Sequence, residues 1–231
     1  MINVESVGLK KIEGPIIILE KNTEVKYDEV VKVYDKDRNY QIGKVLAVTE
    51  KNIIIQVFGN TTGLTIKNTS IEFLGKQMMI PVGREMLGRV FNGLGEPFDG
   101  LPQIFTSEYR DINGFSINPY VREYPRDFIQ TGISAIDGLT TLIRGQKLPI
   151  FSGNGLPHNI LAAQIVRQAK LKNSDSDFTI VFAGMGVKYD VARFFIDNFS
   201  KSGVLSNVVM YLSLADSPSV ERLLTPRAAL T

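Results

Sequence analysis

Phe128 to Asn159 reads FIQTGISAIDGLTTLIRGQKLPIFSGNGLPHN, and this stretch decides the fold. A phosphate-binding loop has the pattern G-x-x-x-x-G-K-[ST], set between a buried strand and a helix. The context here matches. Leu148-Pro149-Ile150-Phe151 is a short apolar run that predicts a strand, Ser152-Gly153-Asn154-Gly155 predicts a flexible turn, and Asn159 to Ala169 predicts a helix. The chemistry does not match. In register, Ser152 takes the place of the first glycine and Pro157 that of the second. His158 stands at the lysine position and Asn159 at the Ser/Thr position.

Each replacement removes a specific contact. The loop works by aiming backbone N–H groups at phosphate. Pro157 has no N–H and fixes φ at about −65°. His158 is shorter than lysine and mostly neutral at pH 7. The amide of Asn159 is a poorer Mg²⁺ ligand than a hydroxyl. The helix N-terminus still favours an anion. The residues Ser152, Gly153, Asn154, Gly155, Leu156, Pro157, His158 and Asn159 therefore form a degenerate phosphate loop, with weak or absent nucleotide binding. The plainer alternative is a glycine-rich turn between strand and helix with no nucleotide history.

Three stretches together resemble the B subunit of the archaeal/vacuolar-type rotary ATPase. They are FIQTGISAIDGL with RGQKLPIFSG (Phe128 to Gly153), the loop SGNGLPHN (Ser152 to Asn159), and LGRVFNGLGEPFDG (Leu87 to Gly100). That protein carries a nucleotide-type domain but is non-catalytic, and it alternates with catalytic A subunits in a hexameric ring. Catalytic members keep Gly-Lys-Thr where this chain has Leu-Pro-His-Asn. The likeness runs over essentially the whole chain and corresponds to the N-terminal portion of such a protein.

Composition narrows the field independently. A chain of 231 residues with 44% hydrophobic content can bury a core of one or two domains. Net charge is +2, from 26 basic and 24 acidic residues, which requires neither nucleic acid nor a membrane surface as partner. There is no cysteine, so no disulfide framework or thiolate metal site, and His158 is the sole histidine, which excludes a His-based zinc site within one chain; no residue is singled out as a metal ligand. No run has the length and apolarity of a transmembrane helix. Met1 to Lys10 lacks a signal-peptide pattern. A soluble cytoplasmic chain is expected, reaching a membrane only indirectly through a complex.

From Val4 to about Leu74 the pattern predicts an all-β domain (residues 1–75). Pro15 to Leu19, Val30 to Tyr34, Val45 to Val48, Ile53 to Phe58 and Ser70 to Leu74 are apolar or alternating runs. Glu50-Lys51-Asn52 reads as a hairpin turn. Short strands at close spacing predict a small barrel or sandwich; the resemblance makes it the family's N-terminal β-barrel, with a role in ring contacts. Gly75 to Gly100 reads as a structural connector, its glycines and prolines forcing turns. Leu101 to Arg126 reads as a long surface excursion, with Arg110, Arg122 and Arg126 solvated or paired at a subunit face.

Residues 76–231 predict the first part of an α/β domain with a parallel sheet, like that of a P-loop (RecA-like) NTPase. Strands are expected at Leu148 to Phe151, Phe178 to Ala183 and Val208 to Leu212. Helices are expected after the loop, at Lys188 to Ser202 with Gly203 as cap, and from Pro218 with a capping side chain just before it. Unalternated strands separated by helices argue a parallel sheet, whose ligands bind at the carboxyl ends of strands. The degenerate loop is expected at such an end. In catalytic members the second strand is followed by Gly-Glu-Arg, whose Glu activates water. Here the tract is Gly184-Met185-Gly186-Val187-Lys188, so Val187 takes the place of that carboxylate. A valine neither accepts a proton nor orients water. The plainer alternative makes Val187 a helix-entry residue.

The resemblance implies a strand ending in the Mg²⁺-binding carboxylate, a C-terminal helical domain, and an arginine donated to the neighbouring active site, all beyond Thr231. It implies that the chain itself is non-catalytic. It also implies that ATP or ADP with Mg²⁺ sits at an inter-subunit site rather than tightly on this chain. Implied partners are catalytic A subunits and the central-stalk and peripheral-stalk subunits of a proton- or sodium-translocating ATPase or ATP synthase. Two other readings stay open at this point: a weak, non-hydrolysing nucleotide binder, and a stand-alone assembly protein on an eroded ATPase fold.

Overall fold

A computed structural model describes residues 4–6, 9–124, 126–171 and 178–231. The first seven strands are β1 (Val4–Ser6), β2 (Leu9–Glu13), β3 (Ile16–Glu20), β4 (Val30–Tyr34), β5 (Tyr40–Val48), β6 (Asn52–Val57) and β7 (Ser70–Phe73). They form one antiparallel sheet in the order β1-β7-β4-β5-β6-β3-β2. Alternation decides which side chains turn inward. In β6, Ile53, Ile55 and Val57 are buried, and the residues between them are only partly covered. Ile17, Leu19, Val31, Val33, Val45, Ile71 and Phe73 meet them in one apolar cluster. The hairpin at Glu50-Lys51-Asn52 forms as expected, with Thr49 N–H donating to Asn52 O at 2.8 Å. Glu29 ties the sheet to its exit: its buried carboxylate accepts from Lys26 N at 3.0 Å and Gly75 N at 2.6 Å.

Five short strands and a helix follow. They are β8 (Met79–Pro81), β9 (Val90–Phe91), β10 (Tyr109–Asp111), β11 (Ile129–Gln130), α1 (His158–Gln168) and β12 (Lys170–Leu171). Then come β13 (Ile180–Val187), α2 (Tyr189–Lys201), β14 (Val208–Leu214) and α3 (Ser219–Leu230). The parallel sheet has the order β13-β14-β9. β14 is its centre and is buried at every position but the last. Val208, Met210 and Leu212 face α2 and α1, where they meet Phe195, Phe199 and Ala163. Val209 and Tyr211 face α3, which turns Val220, Leu224 and Ala228 toward them at a spacing of four. Phe58, at the end of the β-domain sheet, packs in this second cluster beside Phe91.

The structure corrects four expectations. Leu148 to Phe151 is not a strand. It takes part in no sheet, and the Phe151 side chain is 93% exposed. An apolar run becomes a strand only when a neighbour accepts its backbone bonds, and Pro149 removes one donor besides. The third parallel strand is β9 instead, so the stretch read as a mere connector contributes to the sheet. The second strand starts two residues late, at Ile180, and runs through the glycine tract to Val187. At the start of α3, Ser217 does not cap: Leu214 N donates to its hydroxyl at 3.3 Å, and no side chain caps the helix. Gly203 does take the left-handed conformation, at φ 74°, after α2.

The LGRVFNGLGEPFDG stretch earns its specificity structurally. Arg89 grips Asp99 through two hydrogen bonds, 2.6 and 3.1 Å, with both side chains about one-seventh exposed. Val90 N and Leu101 N also donate to that carboxylate. Desolvation works against the ionised form of Asp99, but the Arg89 bond and these amides outweigh it and hold its pKa below the ordinary value. A depressed folded-state pKa gives stability that is complete above the unfolded value, about 4, and is lost as pH falls through the folded value. Urea titrations at stepped pH are expected to show stability falling below about pH 5, with a shallower fall in Asp99→Asn. Equal slopes in the two proteins would exclude this pair as a contributor.

Candidate functional site

The loop Ser152–Pro157 is exposed along its length, as are His158 and Ile160, while Asn159 is half-buried. Gly155 has φ 83° with open space around it, so backbone conformation rather than crowding favours glycine there. Pro157 sits at φ −80°, ψ 45°, close to an inverse γ-turn. The His158 N–H accordingly donates to Leu156 O at 2.9 Å. The first helical bond runs from Leu161 N to Pro157 O at 3.1 Å. These bonds settle the donor inventory. Position 157 has no N–H, and the N–H of 158 is occupied. Among the described residues, the amides of Asn159 and Ile160 meet no acceptor at the start of α1, where the helix dipole favours an anion.

A phosphate cradle needs converging amides, a fixed cation and a hydroxyl for Mg²⁺. The residues present do not fit that group. One amide is missing, another is turned back onto Leu156, and the side chains at 158 and 159 are imidazole and carboxamide. Nor does the loop lie at the carboxyl end of a sheet strand, since Leu148 to Phe151 is unpaired.

Val187 is the last residue of β13. The strand bulges between Met185 and Val187, where Gly186 adopts φ 65°. The Val187 carbonyl accepts from Ala215 N at 2.8 Å, and its side chain packs against the Phe195–Phe199 cluster. Val187, read from the sequence as standing where catalytic members carry a carboxylate, thus presents an apolar side chain directed into packing. α1 reaches the same cluster through Ala162, Ala163 and Val166. Among the described residues, no hydrogen bond joins the loop to Val187.

Sequence reasoning missed two local arrangements. In the TGISAID segment, Asp137 accepts from Thr131 Oγ1 at 2.7 Å, Thr131 N at 2.9 Å and Gly132 N at 2.9 Å. The Thr131 hydroxyl bond, with those amides, holds its carboxyl below the ordinary range. The segment's specificity is a carboxylate-centred turn leading into the π-helical turn Ile136–Thr140; an Asp six residues after a Thr was the available signal. At the carboxyl ends of β13 and β14, Arg222 donates to the carbonyls of Ala215 and Ser217 and lies over Gly186. There the guanidinium clamps the turn after β14.

Comparison with known proteins follows this geometry. Residues 132–231 match the model of the ATP synthase alpha/beta family, nucleotide-binding domain. Residues 10–75 match the model of the beta-barrel domain of the same family. The chain is 55% identical over 224 residues to the V-type ATP synthase beta chain 2 of Treponema pallidum, covering 97% of this chain and 47% of the relative. It is 54% identical over 231 residues to the V-type ATP synthase beta chain of Halothermothrix orenii, covering 100% and 50%. The B subunit of the A-type ATP synthase of Nitrosopumilus maritimus is 52% identical over 228 residues, covering 99% and 50%. The chain thus spans about half the length of the curated relatives it matches.

Proposed function

The chain belongs to the ATP synthase alpha/beta family, and from that premise we propose that it serves as a non-catalytic B subunit of a V/A-type rotary ATPase or ATP synthase. One observation carries the reading. The loop that would hold phosphate has lost an amide to Pro157 and turned the His158 amide back on Leu156. Val187 supports it, since an apolar side chain packed against a core activates no water. Such a protein contributes shape and contacts to a ring and leaves hydrolysis to its neighbours. Its partners are then catalytic A subunits and the stalk subunits. ATP or ADP with Mg²⁺ lies at the boundary between subunits rather than in the Ser152–Asn159 loop. Attachment to a membrane comes only through the complex; among the described residues, no helix is long and apolar enough to cross one.

The test is assembly. The purified chain is mixed with the catalytic A subunit of the same complex and followed by size-exclusion chromatography with light scattering. A mixed assembly with equal numbers of the two chains is expected, with no Mg²⁺-dependent ATP hydrolysis by this chain alone. Failure to associate, or steady hydrolysis by the isolated chain, would contradict the proposal.

A further inference from the structure

A second feature is built from residues 122–124, 126–127 and 144–147 and ends five residues before the loop begins. Arg122, Glu123, Tyr124, Arg126, Asp127, Arg144 and Lys147 surround an open hollow of about 1080 Å³. Its rim carries four cations against two carboxylates. We propose that this hollow binds an oligophosphate group, either free or as the tail of a nucleotide.

Backbone bonds fix where the cationic side chains leave the main chain. Asn118 caps the short turn Pro119–Val121, and Arg122 N donates to Pro119 O at 3.2 Å. Arg144 N donates to Asp127 O at 2.8 Å, Ile129 N to Leu142 O at 2.9 Å, and Phe128 bridges Ile143. This short antiparallel ribbon sets Asp127 opposite Arg144 and carries Arg126 to the same rim. A turn at Gly145, with φ 90°, is closed by Gln146 N on Ile143 O at 2.9 Å and by Ile143 N on Gln146 Oε1 at 3.1 Å. It carries Lys147 to the same rim.

The cations are also uncommitted. Arg89 is paired with Asp99, Arg110 with Glu108, Arg193 with Asp197, and Arg222 with two carbonyls. Among the described residues, no side-chain hydrogen bond or ion pair engages Arg122, Arg126 or Lys147. Arg144 reaches Asp127 only at 3.9 Å, with both side chains more than two-thirds exposed, a separation worth little in water. Like charges gathered without partners repel one another. A ligand of several negative charges relieves that repulsion at several points at once, and guanidinium forks match phosphate oxygens in pairs. The concave shape and size suit a small molecule rather than a bilayer surface. The Tyr124 ring, 91% exposed at the rim, offers a face for a base.

The experiment titrates inorganic tripolyphosphate and, separately, ATP into the 231-residue chain by calorimetry. Saturable binding of both is expected, about tenfold weaker on raising NaCl from roughly 20 to 200 mM, since screening shortens the reach of each charge. Arg122→Gln with Arg126→Gln and Lys147→Gln should weaken it at least tenfold while leaving the melting temperature unchanged. Asp127→Asn should tighten it, because a competing carboxylate is gone. Tyr124→Ala should weaken ATP alone if the ligand is a nucleotide, and neither ligand if it is free oligophosphate. Should the triple variant fail to fold, amide shifts of residues 122–124, 126–127 and 144–147 on titrating the native chain give the same answer. Absence of saturable binding, binding unchanged in the triple variant, binding lost in His158→Ala, or tighter binding of an oligo-glutamate peptide would each overturn the proposal. None of these outcomes bears on assembly with catalytic subunits.

Discussion

Substituting Pro157→Gly, His158→Lys and Asn159→Thr together is expected to raise MgATP affinity at the loop at least tenfold, whereas His158→Lys with Asn159→Thr alone gains less than about threefold. The difference rests on backbone, not charge. The double variant restores a cation and a hydroxyl, each a charge-assisted partner worth roughly 1.5–3 kcal/mol when well placed. It leaves Pro157 without an N–H and keeps the γ-turn that ties the His158 amide to Leu156. A phosphate would then meet one strong donor on a loop shaped to turn away. Glycine at 157 returns a donor and releases φ, so the amide of 158 can swing outward. The readout is the shift of loop amides on adding MgATP, which separates this site from the Arg122–Lys147 hollow. Equal gains from the double and triple variants would show that side chains alone disable the loop.

Phe199→Ala is expected to be among the most damaging single changes in the chain, at about 3–5 kcal/mol. Phe199 is fully buried on α2 and meets the Phe182 ring at 5.5 Å and the Phe195 ring at 5.9 Å. Phe182 comes from β13, so the ring pair ties helix to sheet. The cluster also holds Val208, Met210 and Leu212 of β14. Removing the ring opens a cavity that a parallel sheet cannot readily collapse to fill, and the edge-on contact with Phe182 and the tilted one with Phe195 are lost with it. Urea denaturation should show a large drop in midpoint at similar slope. By contrast Phe194→Ala, on the less covered flank of α2, should cost much less. Similar losses in both variants would mean that the two faces of α2 are not distinguished as the structure has them.

How legible the fold was depended on whether a segment's neighbours were encoded nearby. Helix α2 was readable to within a residue at each end, because Phe195 and Phe199 repeat at helical spacing and Gly203 ends it. The runs at Pro15–Leu19, Val30–Tyr34 and Ile53–Phe58 alternate or are continuously apolar, and each became a strand. β2 escaped notice because Leu9–Glu13 carries three charged residues in five; it is an edge strand with one partner. β9 escaped because two residues between turns give no period, and only β14 makes it a strand. Leu148 to Phe151 erred the other way: apolar composition suggested a strand where no neighbour exists in this structure. That position 157 offers no N–H and position 158 no ammonium group was plain from the residue types alone. The capture of the His158 amide by Leu156 was not, since it follows from ψ at Pro157.

The central claim is that Ser152–Asn159 does not hold nucleotide phosphate. The most direct measurement records amide resonances of the 231-residue chain while MgATP is added to several millimolar. The account predicts that Gly153, Asn154, Gly155, His158 and Asn159 stay in place, whatever happens at residues 122–147. Saturable shifts at those five amides, dependent on Mg²⁺, would contradict it and make the loop a working nucleotide site.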